Sequence, residues 1–282
     1  LLKNKIPIIH NQNGVFYPAW YSGNYKFMNK IMSNQLKLAD YVFYQSRFCK
    51  YSSDKFLHKR KNNFEILYNA CDLNYFKPRL NKRINKKKIK ILMTGSYRSY
   101  LYPGLIAAIK SVNVIKKKIN VELSIAGTIE TSLKIKILKI IKKLNLEKNI
   151  FLLGSYNQSL APKIYRSHDI YYFFVHNAPC PNALIEAIAC GLPVIYLNSG
   201  SCKEIVEKGG IAIKSKTSWK KYNSINHKLI SNALNRIISN YKYYCEEARK
   251  SAINKHDFKN WIKRHNVIFE KYKSELLSTI NK

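Results

Sequence analysis

One stretch, HNAPCPNALIEAIACGLPVIYLNSGSCKE at 176–204, restricts what this chain can become more than any other. Its middle reads as a helix that is apolar on every side. Ala183, Leu184, Ile185, Ala187, Ile188 and Ala189 surround a single carboxylate, Glu186. A helix without a polar face is buried, and a buried carboxylate takes a partner or a proton. Gly191 ends the helix and Pro193 prevents its return. The chain then enters an apolar strand at 194–197, which opens into the small polar turn Asn198-Ser199-Gly200-Ser201. An acid on such a helix, beside a strand-end turn rich in backbone N–H groups, suits a ligand bearing hydroxyls and phosphates.

The pattern around this segment repeats the same alternation. Strand-like runs at 89–93, 121–126, 150–153, 170–175, 194–197 and 211–213 enclose helical stretches at 103–117, 131–144, 158–166, 181–190 and 201–208. Strands alternating with helices of this length mean βαβ units, an α/β class and a doubly wound parallel sheet. Ligands of such sheets sit at the carboxyl ends of the strands. The turns after Met93, Ala126, Val175 and Leu197 are therefore expected to face one crevice. Upstream, strands at 6–9, 41–45 and 65–68 with a helix at 25–38 make a smaller α/β piece. Three strands form a poor core, and the chain opens on Leu1 rather than Met, so this first domain, 1–80, is expected to be incomplete. Residues 81–88 are polar, basic and aperiodic and read as a linker to a second domain, 89–282. After Ser215 the pattern is helical to the end, with Ile262, Phe269 and Tyr272 among the apolar positions of the last helix.

Charge is the other constraint. Fifty basic against 16 acidic residues give a net +34, which invites a nucleic-acid reading. The lysines, however, are spread along the whole chain. In the 131–144 stretch Leu133, Ile137, Ile140, Ile141 and Leu144 share one face while Lys136, Lys139 and Lys143 share another, as on a solvated helix. Solvated faces explain the charge first, peripheral contact with an anionic membrane surface second, and nucleic acid, not an expected partner, third. No apolar run is long enough to span a bilayer and no signal segment opens the sequence, so a cytoplasmic location is expected, peripheral at the inner membrane face. Six cysteines without a C-x-x-C pair read as reduced, buried thiols rather than a metal site. The dinucleotide, Walker and nucleophile-elbow motifs are absent. No two aspartates lie within three positions of each other, which removes the D-x-D cation site of many sugar transferases.

The segment PCPNALIEAIACGLPVIYLNSGSCKEIV resembles the donor-binding segment of retaining, metal-independent glycosyltransferases of family 4, the glycosyltransferases group 1. IPIIHNQNGVFYPAW, ADYVFYQSRFCK, LYNACDLNYFKP, ILMTGS and LSIAGT resemble the same family in the same order, so the likeness covers nearly the whole chain. The resemblance implies a GT-B fold of two Rossmann-like doubly wound parallel-sheet domains, the first lacking its start. It implies transfer of a hexose, with retention and no cofactor, from a UDP-, GDP- or ADP-sugar to a saccharide or lipid-linked acceptor. Cell-surface polysaccharide synthesis is the implied setting.

Residue by residue, Glu186 matches the second acid of the family's paired-glutamate motif, which implies hydrogen bonds to the ribose hydroxyls. A carboxylate accepts both protons of a cis-diol. The alternative is a structural acid paired with a lysine such as Lys203. The first acid of the motif falls on Ala178, beside the place of the transferred sugar, where Asn177 or backbone amides stand instead. Asn182 opens the helix toward the β-phosphate, and Ser199, Gly200 and Ser201 match a family turn that usually carries two glycines. The loop GSYRSYLYPG begins at Gly95 and matches the pyrophosphate clamp, but Arg98 is its only cation and no lysine follows. An exposed loop arginine is the competing reading. His10 matches a histidine-bearing segment facing the sugar across the cleft, against a structural role. Glu204 is expected to charge the start of its own helix, and Asn69, Asp72 and Pro78 to be structural. Two rivals remain: a catalytically degenerate nucleotide-sugar-binding protein of this fold, and a basic nucleic-acid-binding module.

Overall fold

The computed structural model describes residues 6–79, 84–215 and 218–280. The apolar run YVFY is the spine of the first sheet. Strands β1 (Ile9–Gln12), β2 (Tyr41–Tyr44) and β3 (Phe64–Ile66) pair in parallel in the order β1-β2-β3. The crossovers are helices α1 (Tyr25–Leu38) and α2 (Arg47–Phe56). Val42, Phe43 and Tyr44 are fully buried, as a strand covered on both faces requires. β1 starts later than the expected 6–9 because the Ile8 N–H goes to the Asp40 carboxylate at 2.7 Å. His10 therefore lies within the strand, not at its end.

The second sheet contains β4 (Ile89–Thr94), β5 (Val121–Ala126), β6 (Ile150–Gly154), β7 (Ile170–Phe173), β8 (Val194–Leu197) and β9 (Gly210–Ile213). Its order, β6-β5-β4-β7-β8-β9, is parallel throughout, and the strand order reverses between β4 and β7. Helices α3 (Tyr102–Ile115), α4 (Thr131–Lys143), α5 (Ala161–Arg166), α6 (Asn182–Ala189) and α7 (Cys202–Val206) connect the strands. The apolar helix read from the sequence is α6; Leu184, Ile185, Ala187, Ile188 and Ala189 are buried without remainder. Five cysteines are buried, and burial pushes the Cys49, Cys71 and Cys180 thiols up to about 12, where they are unreactive. Of the expected linker, residues 81–83 lie outside those described.

The tail differs from its expectation. Helices α8 (His227–Ser239), α9 (Tyr241–Lys255) and α10 (Phe258–Ile280) begin only at His227, where the Asn226 side chain accepts the Lys228 N–H. α10 does not stay with the second sheet. Its Ile268 and Tyr272 pack on Tyr41 and Phe43 of β2, and Arg264 pairs with Glu65 of β3 at 2.7 Å. That contact supplies apolar cover that three strands cannot make for themselves. Of the apolar positions named for this helix, Tyr272 is buried, whereas Ile262 and Phe269 are 39% and 47% exposed. Beside Tyr272, the buried residue of the seam is Ile268 rather than Phe269.

Glu204 joins the two sheets' units. It was expected to serve its own helix; its carboxylate instead accepts the Arg47 and Phe48 N–H groups of α2 at 2.9 and 3.0 Å. Ser46 caps the Cys49 N–H at 3.0 Å and donates its own proton to the Pro179 carbonyl at 2.6 Å. The first amides of α2 are thus satisfied from the other unit. Tyr68 adds a third hydrogen bond to Glu204 at 2.9 Å. Glu204→Ala is expected to cost about 1–2 kcal/mol in denaturant unfolding, with part of the loss restored by Glu204→Gln.

Candidate functional site

The carboxyl end of β4 carries Thr94, one residue before the glycine turn, and β4 borders the place where the strand order reverses. Thr94 Oγ1 lies 2.8 Å from the Tyr171 hydroxyl of β7 and 3.1 Å from that of Tyr165. Tyr165, on α5, donates to Glu186 Oε2 at 3.0 Å and also lies 3.2 Å from the Ala183 carbonyl. Gln158 donates to Glu186 Oε1 at 3.2 Å. Burial raises the pKa of Tyr165 and Tyr171, keeping both as hydrogen-bond donors. Among the described residues no lysine or arginine reaches Glu186, and Lys203 is exposed and forms no ion pair. Glu186 is half-buried and held by neutral donors alone.

Burial raises the Glu186 pKa, and the Tyr165 and Gln158 hydrogen bonds offset part of that rise. A carboxyl whose folded pKa is raised favours folding below its unfolded pKa, and that favour is lost as pH rises through the folded value. At neutral pH the ionised side chain therefore costs stability. Glu186→Gln is expected to raise Tm by about 2–4 °C at neutral pH, and the gain should fade toward pH ~4, the ordinary carboxylate range. A melting series across pH checks the sign.

The small-residue turn packs against the 177–178 bend. Asn177 sits at φ 51°, its side chain donates to the Ser218 carbonyl, and its Oδ1 accepts the Ser199 hydroxyl proton at 2.8 Å. The Ser199 Oγ in turn accepts the Asn177 N–H at 3.0 Å. Ser201 is fully buried, and both its N–H and its hydroxyl donate to the Ala178 carbonyl, at 2.9 and 3.1 Å. Gly200, at φ 68°, lies so close that a Cβ there would drive into the Ala178 backbone. These side chains fix the shape of the bend.

Of the other expected residues, Gly95, Arg98 and Asn182 lie at turns and helix starts of the second unit, and His10 lies apart on the first sheet. The Gly95 N–H bonds to the Ala126 carbonyl at 3.1 Å, and a Cβ on Gly127 (φ 113°) would strike the Gly95 carbonyl oxygen. The ILMTGS and LSIAGT turns are pressed together for that reason. Arg98 is exposed at the start of the short helical turn Ser99–Leu101 and forms no ion pair among the described residues. Neighbouring Ser99 is tied through its N–H and hydroxyl to Glu130, at 3.0 and 2.7 Å. Asn182 is the first residue of α6, and its Oδ1 accepts from Asn69 at 2.9 Å. His10 sits on the first sheet, 3.1 Å from Gln12 Oε1. Sequence reasoning missed Thr94, Gln158, Tyr165 and Tyr171. The one available signal was tyrosines placed within otherwise apolar buried runs, as in IYYF.

Between the two units lies a cavity of about 480 Å3 that reaches Asn177, Ala178 and Pro181 beside the start of α6. Trp219 comes from the segment after β9. It packs on Phe48 at 5.7 Å, Phe56 at 5.0 Å and Tyr17 at 4.8 Å, and so closes one side of the cleft.

A profile of the family described as "Glycosyl transferases group 1" matches residues 76–255, well over half of the chain. The chain belongs to the glycosyl transferases group 1. The matched residues include Arg98, Asn177, Asn182, Glu186 and the Ser199–Ser201 turn, but not His10. Among curated proteins, Protein CapJ of Staphylococcus aureus is 28% identical over 217 residues, 73% of this chain and 52% of CapJ. The chain thus spans about half the length of that relative. Among solved structures, sucrose-phosphate synthase from Thermosynechococcus elongatus superposes with a TM-score of 0.78 at 14% identity, over 95% of this chain and 68% of that one. HepE of Anabaena, solved with UDP and glucose, superposes with a TM-score of 0.74 at 16% identity, over 94% and 71%. The two parallel sheets of this group 1 chain are those of the GT-B fold.

Proposed function

We propose that this chain moves a hexose from a nucleoside diphosphate sugar to a hydroxyl of a saccharide or lipid-linked acceptor, with retention at the anomeric carbon and without bound metal. The observation that carries this reading is Glu186. It is an acceptor-only group at the carboxyl edge of a doubly wound sheet, supplied with neutral donors and, among the described residues, no cation, so a diol arriving from solution completes its hydrogen bonding. HepE has been solved with UDP and glucose and with UDP-glucose, which supports a nucleotide sugar here. Arg98 and the N–H groups opening α6 at Asn182 stabilise the departing diphosphate. Gly95 and the Ser199–Ser201 turn act through shape, by holding the Asn177–Ala178 bend and the clamp loop in place. His10 lies on the first sheet, outside the residues that line the cavity, and its contact with the sugar is part of the proposal. Chemistry on this plan is mostly positioning and electrostatic stabilisation. The setting is cell-surface polysaccharide synthesis at the cytoplasmic membrane face, where the basic surface suits anionic lipid. No helix among the described residues is long and apolar enough to cross a membrane.

Calorimetric titration with UDP-, GDP- and ADP-sugars tests the reading: one nucleotide class is expected to bind, and binding of none would overturn it. Ala178 and the missing clamp lysine favour a second reading, a nucleotide-sugar-binding protein without turnover. Release of free nucleoside diphosphate on incubation with donor and mixed saccharide acceptors separates the two.

A further inference from the structure

The cavity between the two units has a chemical character unlike the rest of the molecule. The sequence carries 50 basic and 16 acidic residues, yet no charged side chain is among the described residues that line it. Its walls are aromatic: Tyr17, Trp20, Phe48, Tyr100, Trp219 and Tyr222 come from both units and converge on it. Val15, Met32 and Val175 are its larger aliphatic groups. Polar groups are few, and the His176 imidazole among them, whose Nε2 has no partner among the described residues, is kept neutral because burial lowers its pKa. The Tyr17 and Tyr222 hydroxyls bond to each other at 2.9 Å and the Trp20 indole N–H is spent on the Val15 carbonyl at 3.2 Å. The Tyr100 hydroxyl, the Trp219 indole N–H and the Asn13 amide make no hydrogen bond among the described residues. At the inner end stands Ala178, buried, with only a methyl group.

We propose that this cavity binds an uncharged sugar ring poor in hydroxyl groups, such as a 6-deoxy or N-acetylated hexose, and rejects uronic acids and phosphorylated sugars. The proposal rests on the transferase reading and names the substrate class of the same cleft. A pyranose has a C–H face that carries slight positive charge, which suits the negative face of an aromatic ring. Its opposite edge needs a small number of donors and acceptors, and the Tyr100, Trp219 and Asn13 groups supply that number. A carboxylate or phosphate would lose its hydration and find no cation, a cost that burial without pairing does not return. A fully hydroxylated ring would set one more hydroxyl against aromatic carbon, where a 6-deoxy ring sets a methyl group and an N-acetylated ring its acetyl methyl, and an unpaired polar group is a strong basis for rejection. An acyl chain is the poorer occupant. It gains nothing from the polar groups, and aliphatic walls would serve it better than rings.

The test uses the full chain and saturation-transfer NMR with methyl N-acetylglucosaminide, methyl fucoside, methyl glucuronide and 1-decanol. Quenching of tryptophan fluorescence is read in parallel, since Trp20 and Trp219 line the cavity. The two uncharged glycosides are expected to bind at least tenfold more tightly than the glucuronide and to quench fluorescence. Tyr100→Ala should weaken them at least fivefold, whereas Tyr100→Phe, which keeps the ring, should weaken them less. Competition tells the source of the ring. Displacement by a UDP-sugar that carries the same hexose assigns the cavity to the transferred sugar, and simultaneous binding assigns it to the acceptor. Equal binding of the glucuronide, binding of decanol alone, or no glycoside binding with or without UDP would overturn the proposal. Glycoside binding without any nucleotide binding would leave it standing and sink the nucleotide reading instead.

Discussion

Glu186→Ala is expected to weaken nucleotide-sugar binding by about a hundredfold, read by calorimetry on the nucleotide class that the wild type prefers. A hydrogen bond to a charged acceptor contributes roughly 1.5–3 kcal/mol. Two to a ribose diol, discounted for water that re-enters the space, leave about 3 kcal/mol, which is roughly a hundredfold. The fold should not suffer. Glu186 stands on a buried helix, burial raises its pKa, and among the described residues it has no ionic partner to leave stranded. Its removal does leave the Tyr165 hydroxyl with the Thr94 oxygen and the Ala183 carbonyl, so that group keeps acceptors. The variant therefore separates binding from stability, and equal affinity in both proteins would refute the ribose role.

Gly200→Ala is expected to have the largest effect on the fold. Two penalties coincide there. The backbone is at φ 68°, where a Cβ is strained, and the space it would take is held by the Ala178 backbone. That backbone cannot yield cheaply, because the Ala178 carbonyl is also the acceptor for both donors of Ser201. The expected cost is about 3 kcal/mol or more, and Tm should fall by roughly 6–12 °C at that cost. The bend that borders the cavity would shift with it, so nucleotide-sugar binding should fall in whatever fraction remains folded. A melting curve within 2 °C of wild type, on the order of the noise for a neutral substitution, would mean that the turn is not constrained as the backbone suggests.

The second sheet was legible because its code is local. Each buried strand is an apolar run, each helix has its own periodicity, and the Gly191 and Pro193 stop signals lie between α6 and β8. What escaped the sequence is long-range. Nothing local tells that Glu204 serves amides more than 150 positions away, since any acid in a first helical turn looks sufficient for its own helix. Tyr165 and Tyr171 read as core aromatics, and only the fold shows that their hydroxyls meet at Thr94 and point the chain of hydrogen bonds at Glu186. α2 was overlooked because RFCKYSSDKF has small polar residues where a helix seam is usually apolar; Ser52 and Ser53 are buried there. His10 was placed at a strand end because the run IPII looks like a full strand, whereas the Asp40 side chain intercepts its third residue. Glu186 itself stood out from composition alone, because one acid among six apolar neighbours has few explanations.

The docking of α10 on β2 sets an order of events during synthesis. Ile268 and Tyr272 of α10 are made more than 190 positions after Tyr41 and Phe43, whose cover they complete. The early strands must wait, with apolar surface open to solvent or to a chaperone, until α10 arrives.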